Sequence, residues 1–273
     1  MSGVHLGALL LTLVVGNATA GGRVTAAEGD ESLQPPTLSL LLGDSLHAWK
    51  SLLQAWPELG SHAERRAWQG MQAVLNKLHC GKDFPLTLPD EVSKLTLQLI
   101  QRDAPLVRNY RVILEGEGPI TAAELIDSSG YNWLEGAQWE LEEKLGVRVV
   151  GSTVQAALPA GLYELRLEVA AKSWRATVPL PALQDLEWLS RSPLKVANTP
   201  DHPASCDPLW LEQTVLSPSD YSLLWWHRLP LEGEINWPAS LLYGWQTLTL
   251  VQSDQRGELT LQRRHTQAGP IEQ

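Results

Sequence analysis

The apolar side chains of this chain change their spacing near Pro89, and this change constrains the fold more than any other feature. Before it, Trp68, Leu75 and Leu78 recur at helical spacing. After it, residues 162–169 alternate apolar and charged side chains, which is typical of a strand with one buried face. The sequence therefore predicts an α+β fold, with an N-terminal helical hairpin followed by a mainly antiparallel β-sandwich-like region.

The helical hairpin is predicted over residues 37–81, with a three-helix unit as the alternative. Pro57 and Gly60 end one helical segment. Ser61 and Glu64 have the spacing of a capping box, in which each side chain accepts a hydrogen bond from a backbone donor of the other residue. The next helix is therefore expected to begin at this pair.

The β region is predicted as residues 90–192 and 193–273, joined by a proline-rich connection that begins the second part. The two parts form either one sandwich or two, and the sequence leaves both open. Residues 134–145 are predicted to form a helix, although the alternation of Trp139 and Leu141 with acidic residues also permits a strand.

The N-terminus has the pattern of an export signal. The apolar run from Leu6 to Val15 precedes Ala18-Thr19-Ala20, the small-x-small pattern that signal peptidases accept. Residues 1–20 are therefore predicted to be a signal peptide and 21–36 a flexible lead-in, which places the mature chain outside the reducing cytosol. A buried N-terminal strand is the alternative. The run is too short for a membrane span, which needs about 20 residues.

Cys80 and Cys206 are the two cysteines of the chain. In an oxidising compartment an even count favours a disulfide, and this one would enclose a long loop. The alternative is a zinc site that adds His79 and His202 to the two thiolates, but the spacing within each pair does not fit a zinc finger. We expect the disulfide, with no metal and no cofactor.

The charge balance limits the partners. The chain carries 21 basic and 31 acidic side chains, a formal net charge of -10. Nucleic acids need clustered lysine and arginine, so they are excluded as partners. Eight acidic residues lie between Val112 and Glu143, but without the spacing of a calcium loop, so we expect a solvated acidic face.

Gly43-Asp44-Ser45-Leu46 spells the nucleophile block of the GDSL hydrolases. An esterase would need a histidine to activate Ser45, and His202 is the candidate. However, Asp201-His202 lacks the two-residue gap of the Asp-x-x-His motif, and a parallel sheet is not indicated. A glycine that ends one helix and an aspartate that caps the next account for the same residues, so we expect no enzymatic activity.

Tryptophan is unusually frequent, with twelve residues against one phenylalanine. Exported sugar-binding sandwiches present planar aromatic side chains to sugar rings, so a carbohydrate-binding surface is an alternative function. Trp225 and Trp226 point to opposite faces if they lie on a strand. The residues of this possible binding surface are Trp225, Trp226, Trp237, Tyr243 and Trp245.

Three motifs carry a resemblance to a known family: residues 40–44 (Leu-Leu-Leu-Gly-Asp), Cys80-Gly81-Lys82 and the Gly-Leu-Tyr strand at 161–163. From about Thr37 onward the chain resembles a domain-of-unknown-function family of exported gammaproteobacterial proteins. Some members are encoded near envelope-stress two-component systems. The resemblance implies that Gly43-Asp44 belongs to a helical turn, and it supplies no catalytic or binding residues. We therefore expect a non-enzymatic periplasmic protein that interacts with an envelope protein, or with a glycan as the alternative.

Overall fold

The computed structural model describes residues 32–142, 146–183, 185–191 and 194–269. The predicted signal peptide and most of the lead-in lie outside these residues. The helices are α1 (Gln34–Leu41), α2 (Ser45–Ala55) and α3 (His62–His79), and the strands are β1 (Lys94–Ala104), β2 (Val107–Glu117), β3 (Ile120–Ile126), β4 (Gln138–Glu142), β5 (Gly146–Val150), β6 (Gly161–Val169), β7 (Lys172–Leu180), β8 (Leu189–Arg191), β9 (Leu194–Val196), β10 (Trp210–Leu216), β11 (Leu223–Pro230), β12 (Trp245–Arg256) and β13 (Leu259–Ala268).

Most strands belong to one eight-stranded sheet, in the order β11-β10-β12-β13-β1-β2-β5-β4. Its pairs are antiparallel except β1 and β13, which run parallel. Smaller sheets are formed by β3-β6-β7 and by β8-β9. The prediction of an α+β fold with a mainly antiparallel β region is confirmed. The large sheet takes strands from both 90–192 and 193–273, so these two predicted parts share one sheet.

Two apolar cores lie on the large sheet. The first includes Leu97 of β1, Leu165 of β6 and Trp49 of α2, so the small sheet and the helices cover this part together. The second includes Leu211 of β10 and Leu250 of β12. The sandwich is therefore only partial, because β3-β6-β7 is much narrower than the sheet that it covers.

The predicted helical hairpin is not confirmed, because three α-helices occupy this part of the chain. Helix α1 begins at Gln34, with the prolines of the expected lead-in in its first turn, where a missing backbone N–H costs no hydrogen bond. The Ser61–Glu64 capping box is present. Helix α3 ends at His79, and its C-cap residue Cys80 adopts a left-handed conformation with a φ of 56°.

The prediction of a helix over residues 134–145 was wrong. Residues Gln138–Glu142 form strand β4, which pairs with β5 at an edge of the large sheet. Trp139 is 41% and Leu141 78% exposed, so the period-two alternation reflects an edge strand with exposed apolar side chains.

His265 predicts a pH dependence of stability. Burial, and then the charge of Arg263, lower the pKa of His265 to about 4, while Asp103 opposes this shift; Arg108 and Asp185 also face it. Between that value and the ordinary pKa of about 6.5, the unfolded chain binds a proton that the folded chain does not. Lowering the pH from 7.5 to 5 should therefore reduce the free energy of unfolding by about 2 kcal/mol through this residue.

The measurement is urea unfolding at both pH values, with the His265→Gln variant as the control. Carboxylates titrate in both proteins, so the difference in pH dependence between wild type and variant isolates the histidine. An equal loss in the two proteins would contradict the assignment.

Candidate functional site

The two cysteines join helix α3 to the segment that precedes β10. Cys80 and Cys206 lie at disulfide distance, with their Cα atoms 4.9 Å apart. The segment of residues 197–209, which we call the strap, is further held by a hydrogen bond from Ser205 Oγ to the carbonyl oxygen of Lys77 (3.1 Å). The side chains of Lys77 and Asp201 form an ion pair. Because both sulfurs take part in this pairing, neither thiolate is available for the alternative zinc site.

Ser45 and His202 are not brought together. Ser45 is the first residue of α2, whose N-cap is Asp44, and its Oγ donates to Asp83 Oδ2 at 2.5 Å. The ring of His202 contacts the carbonyl oxygen of Asp207 through Nε2 (2.6 Å) and Gln252 Nε2 through Nδ1 (3.3 Å). The expected helix end and cap account for the GDSL block.

The predicted aromatic surface divides into a buried and an exposed part. Trp237 is only 7% exposed and belongs to the second core, so it is not available to a ligand. Trp225 packs against the same core, and the centroid of its ring lies 6.2 Å from the centroid of the Trp237 ring. Trp226 points to the opposite face and is 51% exposed. The prediction that Trp225 and Trp226 face opposite ways is confirmed.

Tyr243 and Trp245 lie with Trp226 in a larger exposed apolar surface. Pairing places Leu216 of β10 beside both Leu223 of β11 and Trp245 of β12, which joins the surface across three strands. Its side chains are between 40% and 66% exposed, and we call this surface the aromatic edge patch. It consists of Tyr221, Leu223, Leu224, Trp226, Leu242, Tyr243 and Trp245.

Four members of the aromatic edge patch were missed from the sequence: Tyr221, Leu223, Leu224 and Leu242. The signal that could have found two of them is the uninterrupted apolar run of residues 223–226, which is unusual for a strand with one solvated face. Strand β11 ends the large sheet, and among the described residues no strand pairs with its outer edge.

The sheet face that carries Trp226 also carries a polar network beside the patch. Trp210 Nε1 donates to Glu212 Oε1 (3.0 Å), and Glu212 forms an ion pair with Arg264. The guanidinium of Arg228 lies 4.0 Å from the centroid of the Trp210 ring. This face therefore offers charged and hydrogen-bonding groups within a few residues of exposed aromatic rings.

The acidic stretch between Val112 and Glu143 is partly neutralised by arginines of neighbouring strands. Arg148 of β5 pairs with Glu115 and with Glu140, each at 3.2 Å. Arg166 of β6 pairs with Glu124 at 3.4 Å. The sequence showed the local excess of acid but not these partners, because they come from strands elsewhere in the chain. Among the described residues no group of acidic, histidine and cysteine side chains forms a metal site.

None of the helices in the described ranges is both long and apolar enough to span a bilayer.

A protein-family model described as "Protein of unknown function (DUF2861)" matches residues 28–267. No curated protein matches the chain. The family match covers the helices, the strap and nearly all of the large sheet, including the aromatic edge patch.

Proposed function

The chain belongs to the DUF2861 family of proteins of unknown function. We propose that it is an exported, non-enzymatic protein that binds another envelope protein through the aromatic edge patch. The apolar run Leu6–Val15 and the pairing of Cys80 with Cys206 support export to an oxidising compartment. The separate hydrogen bonds of Ser45 and His202 argue against the esterase alternative.

The main observation in support of this proposal is the exposure of seven large apolar side chains on adjoining strands and turns. Single exposed apolar residues are ordinary, but several on adjoining strands and turns indicate an interaction surface. Its mixture of leucine with tryptophan and tyrosine favours a protein partner, since aromatic and aliphatic anchors fill pockets at protein interfaces.

The backbone of β11 adds a second way to hold such a partner. An edge strand presents unpaired N–H and C=O groups, and an extended segment of a partner can bind to them as an added strand. Strand β11 is the last strand of the sheet, and Trp226 projects from it. A partner strand could therefore pair with the backbone of β11 and contact the aromatic edge patch at the same time.

A glycan is the second candidate. Trp226 and Trp245 lie on the same face as Arg228 and Glu212, an arrangement in which aromatic rings can stack on a sugar while polar groups bind its hydroxyls. The three leucines of the patch have no role in this alternative. The protein partner is therefore the main proposal.

The test introduces a photoreactive amino acid at position 226 in cells. We expect a discrete cross-linked species that protease treatment removes. Position 139 is the matched control, because Trp139 is also exposed but lies on β4, at the opposite edge of the sheet. With the cross-linked protein purified, Trp226→Ala should weaken binding at least about tenfold, and Trp139→Ala should leave it unchanged.

Equal cross-linking from positions 226 and 139 would contradict a specific patch. Binding to a glycan array that Trp226→Ala abolishes, without a protein cross-link, would replace the main proposal by the glycan alternative. A cross-link between two copies of this chain would identify the patch as a homodimer interface and would likewise contradict the proposal of a different partner.

A further inference from the structure

Arg228 of β11 places a positive charge beside the aromatic edge patch. It lies two residues from Trp226, so the two side chains project from the same face of the sheet. Both side chains are exposed, and β11 is the outermost strand of the large sheet. A partner that contacts Trp226 from the outer edge of the sheet therefore also faces Arg228.

The guanidinium of Arg228 is held in place by an aromatic ring and not by a carboxylate. It lies 4.0 Å from the centroid of the Trp210 ring. Pairing places Glu212 of β10 directly opposite Arg228, but the carboxylate of Glu212 forms its ion pair with Arg264 and also accepts a hydrogen bond from Trp210 Nε1. Among the arginine ion pairs of the described residues, none includes Arg228.

This arrangement leaves Arg228 able to bind a carboxylate of another molecule. A guanidinium presents its donors in a plane that matches the two oxygens of a carboxylate, and stacking on an aromatic ring orients this plane. Strand β11 itself contains no acidic residue that competes for these donors. The edge of the sheet therefore combines an exposed aromatic ring with an oriented cation.

Strand geometry sets the spacing of the groups that fit this edge. Successive side chains of an added strand point to opposite faces, so the residues beside Trp226 and Arg228 lie two positions apart in the partner. A large apolar side chain fits beside Trp226, and aspartate or glutamate fits beside Arg228. In either strand direction, the partner segment has an apolar and an acidic residue separated by one position.

We propose that the partner of the aromatic edge patch supplies an extended segment with this pattern, whose acidic side chain binds Arg228. This inference rests on the proposed function, because it needs a protein partner at the aromatic edge patch. It adds the chemical character of the partner segment and the residue that recognises it.

The test measures the affinity of the purified partner that cross-links from position 226. Arg228→Gln removes the charge and should weaken binding about tenfold, and Arg228→Glu reverses it and should weaken binding at least about a hundredfold. Arg175→Glu is the matched control, because Arg175 is exposed on β7 of a different sheet and the same change of charge there should leave the affinity unchanged.

The salt dependence of binding gives a second measurement that a purely structural role of Arg228 would not change. Raising the salt concentration from about 0.05 M to about 0.5 M should weaken wild-type binding more than binding by Arg228→Gln, since salt screens the ion pair. Unfolding curves show whether each variant folds, and Arg228→Gln with its salt dependence decides the question if Arg228→Glu does not fold.

A charge swap completes the test. The cross-linked segment of the partner, located by mass spectrometry, should contain aspartate or glutamate two positions from an apolar residue. Replacing that acid with arginine should restore binding to Arg228→Glu. A segment without this acid, equal affinities of Arg228→Glu and Arg175→Glu, an equal salt dependence of the wild type and Arg228→Gln, or no restoration by the swap would overturn this inference and leave the proposed function in place. Absence of any protein cross-link from position 226 would overturn both.

Discussion

Replacing Arg256 with methionine is expected to lower the free energy of unfolding by about 3–5 kcal/mol. Arg256 has no exposed surface. Its Nε donates to the carbonyl oxygen of Pro179 at 2.9 Å and its Nη1 to that of Gln255 at 2.5 Å. Methionine fills much of the same volume but has no donor, so it leaves the Pro179 carbonyl oxygen buried without this partner and removes a positive charge near Asp254.

The size of this effect reflects where Arg256 lies. Its guanidinium is 5.9 Å from the ring centroid of Trp49, so one side chain of β12 contacts helix α2 and the end of β7 together. Burial lowers the pKa of Arg256, while the charge of Asp254, 3.5 Å away, opposes this shift. The arginine therefore holds the helices to the sheet through contacts that an apolar residue cannot replace.

The control is Arg102→Met, because Arg102 is exposed on β1 and its replacement should change the free energy of unfolding by less than about 0.5 kcal/mol. Urea unfolding of the two variants and the wild type provides the measurement. A loss below 1 kcal/mol in Arg256→Met would show that the buried guanidinium does not hold these elements together.

Replacing Cys206 with serine is expected to lower the free energy of unfolding by about 2–5 kcal/mol. The pair joins residues 126 positions apart, so it restricts a large part of the unfolded chain. It also connects helix α3 to the strap, whose other contacts with that helix include the Lys77–Asp201 ion pair, and exposed ion pairs contribute little.

Chemical denaturation with and without reductant measures this effect. Reductant should destabilise the wild type by the same amount as the substitution and should leave Cys206→Ser unchanged. Ser205→Ala serves as a control for the strap, because it removes only one exposed hydrogen bond and keeps the pairing of Cys80 with Cys206. Wild-type protein whose stability does not respond to reductant would contradict a structural role for the cysteines.

The local parts of the fold could be predicted from the sequence. The capping box at Ser61 depends on residues three positions apart, and strand β6 depends on the alternation within residues 162–169. Both signals are complete within a short window, and both predictions are confirmed. The pairing of Cys80 with Cys206 was predicted from their number together with the export signal.

The non-local parts could not be predicted in the same way. The parallel pairing of β1 with β13 joins segments more than 150 residues apart, and it makes one sheet of two predicted regions. Trp237 is buried because the second core surrounds it, whereas its neighbours in sequence gave no sign of a strand or helix. The aromatic edge patch likewise brings together residues from separate elements.

The proposed export into an oxidising compartment underlies both the expectation of a cysteine pair and the proposed envelope partner. The most direct test is mass spectrometry of protein isolated from its native cells, with free thiols alkylated before lysis. We predict a chain that begins at Gly21, with the peptides of Cys80 and Cys206 linked and neither cysteine alkylated. A chain that retains residues 1–20 and carries an alkyl group on both cysteines would contradict the account.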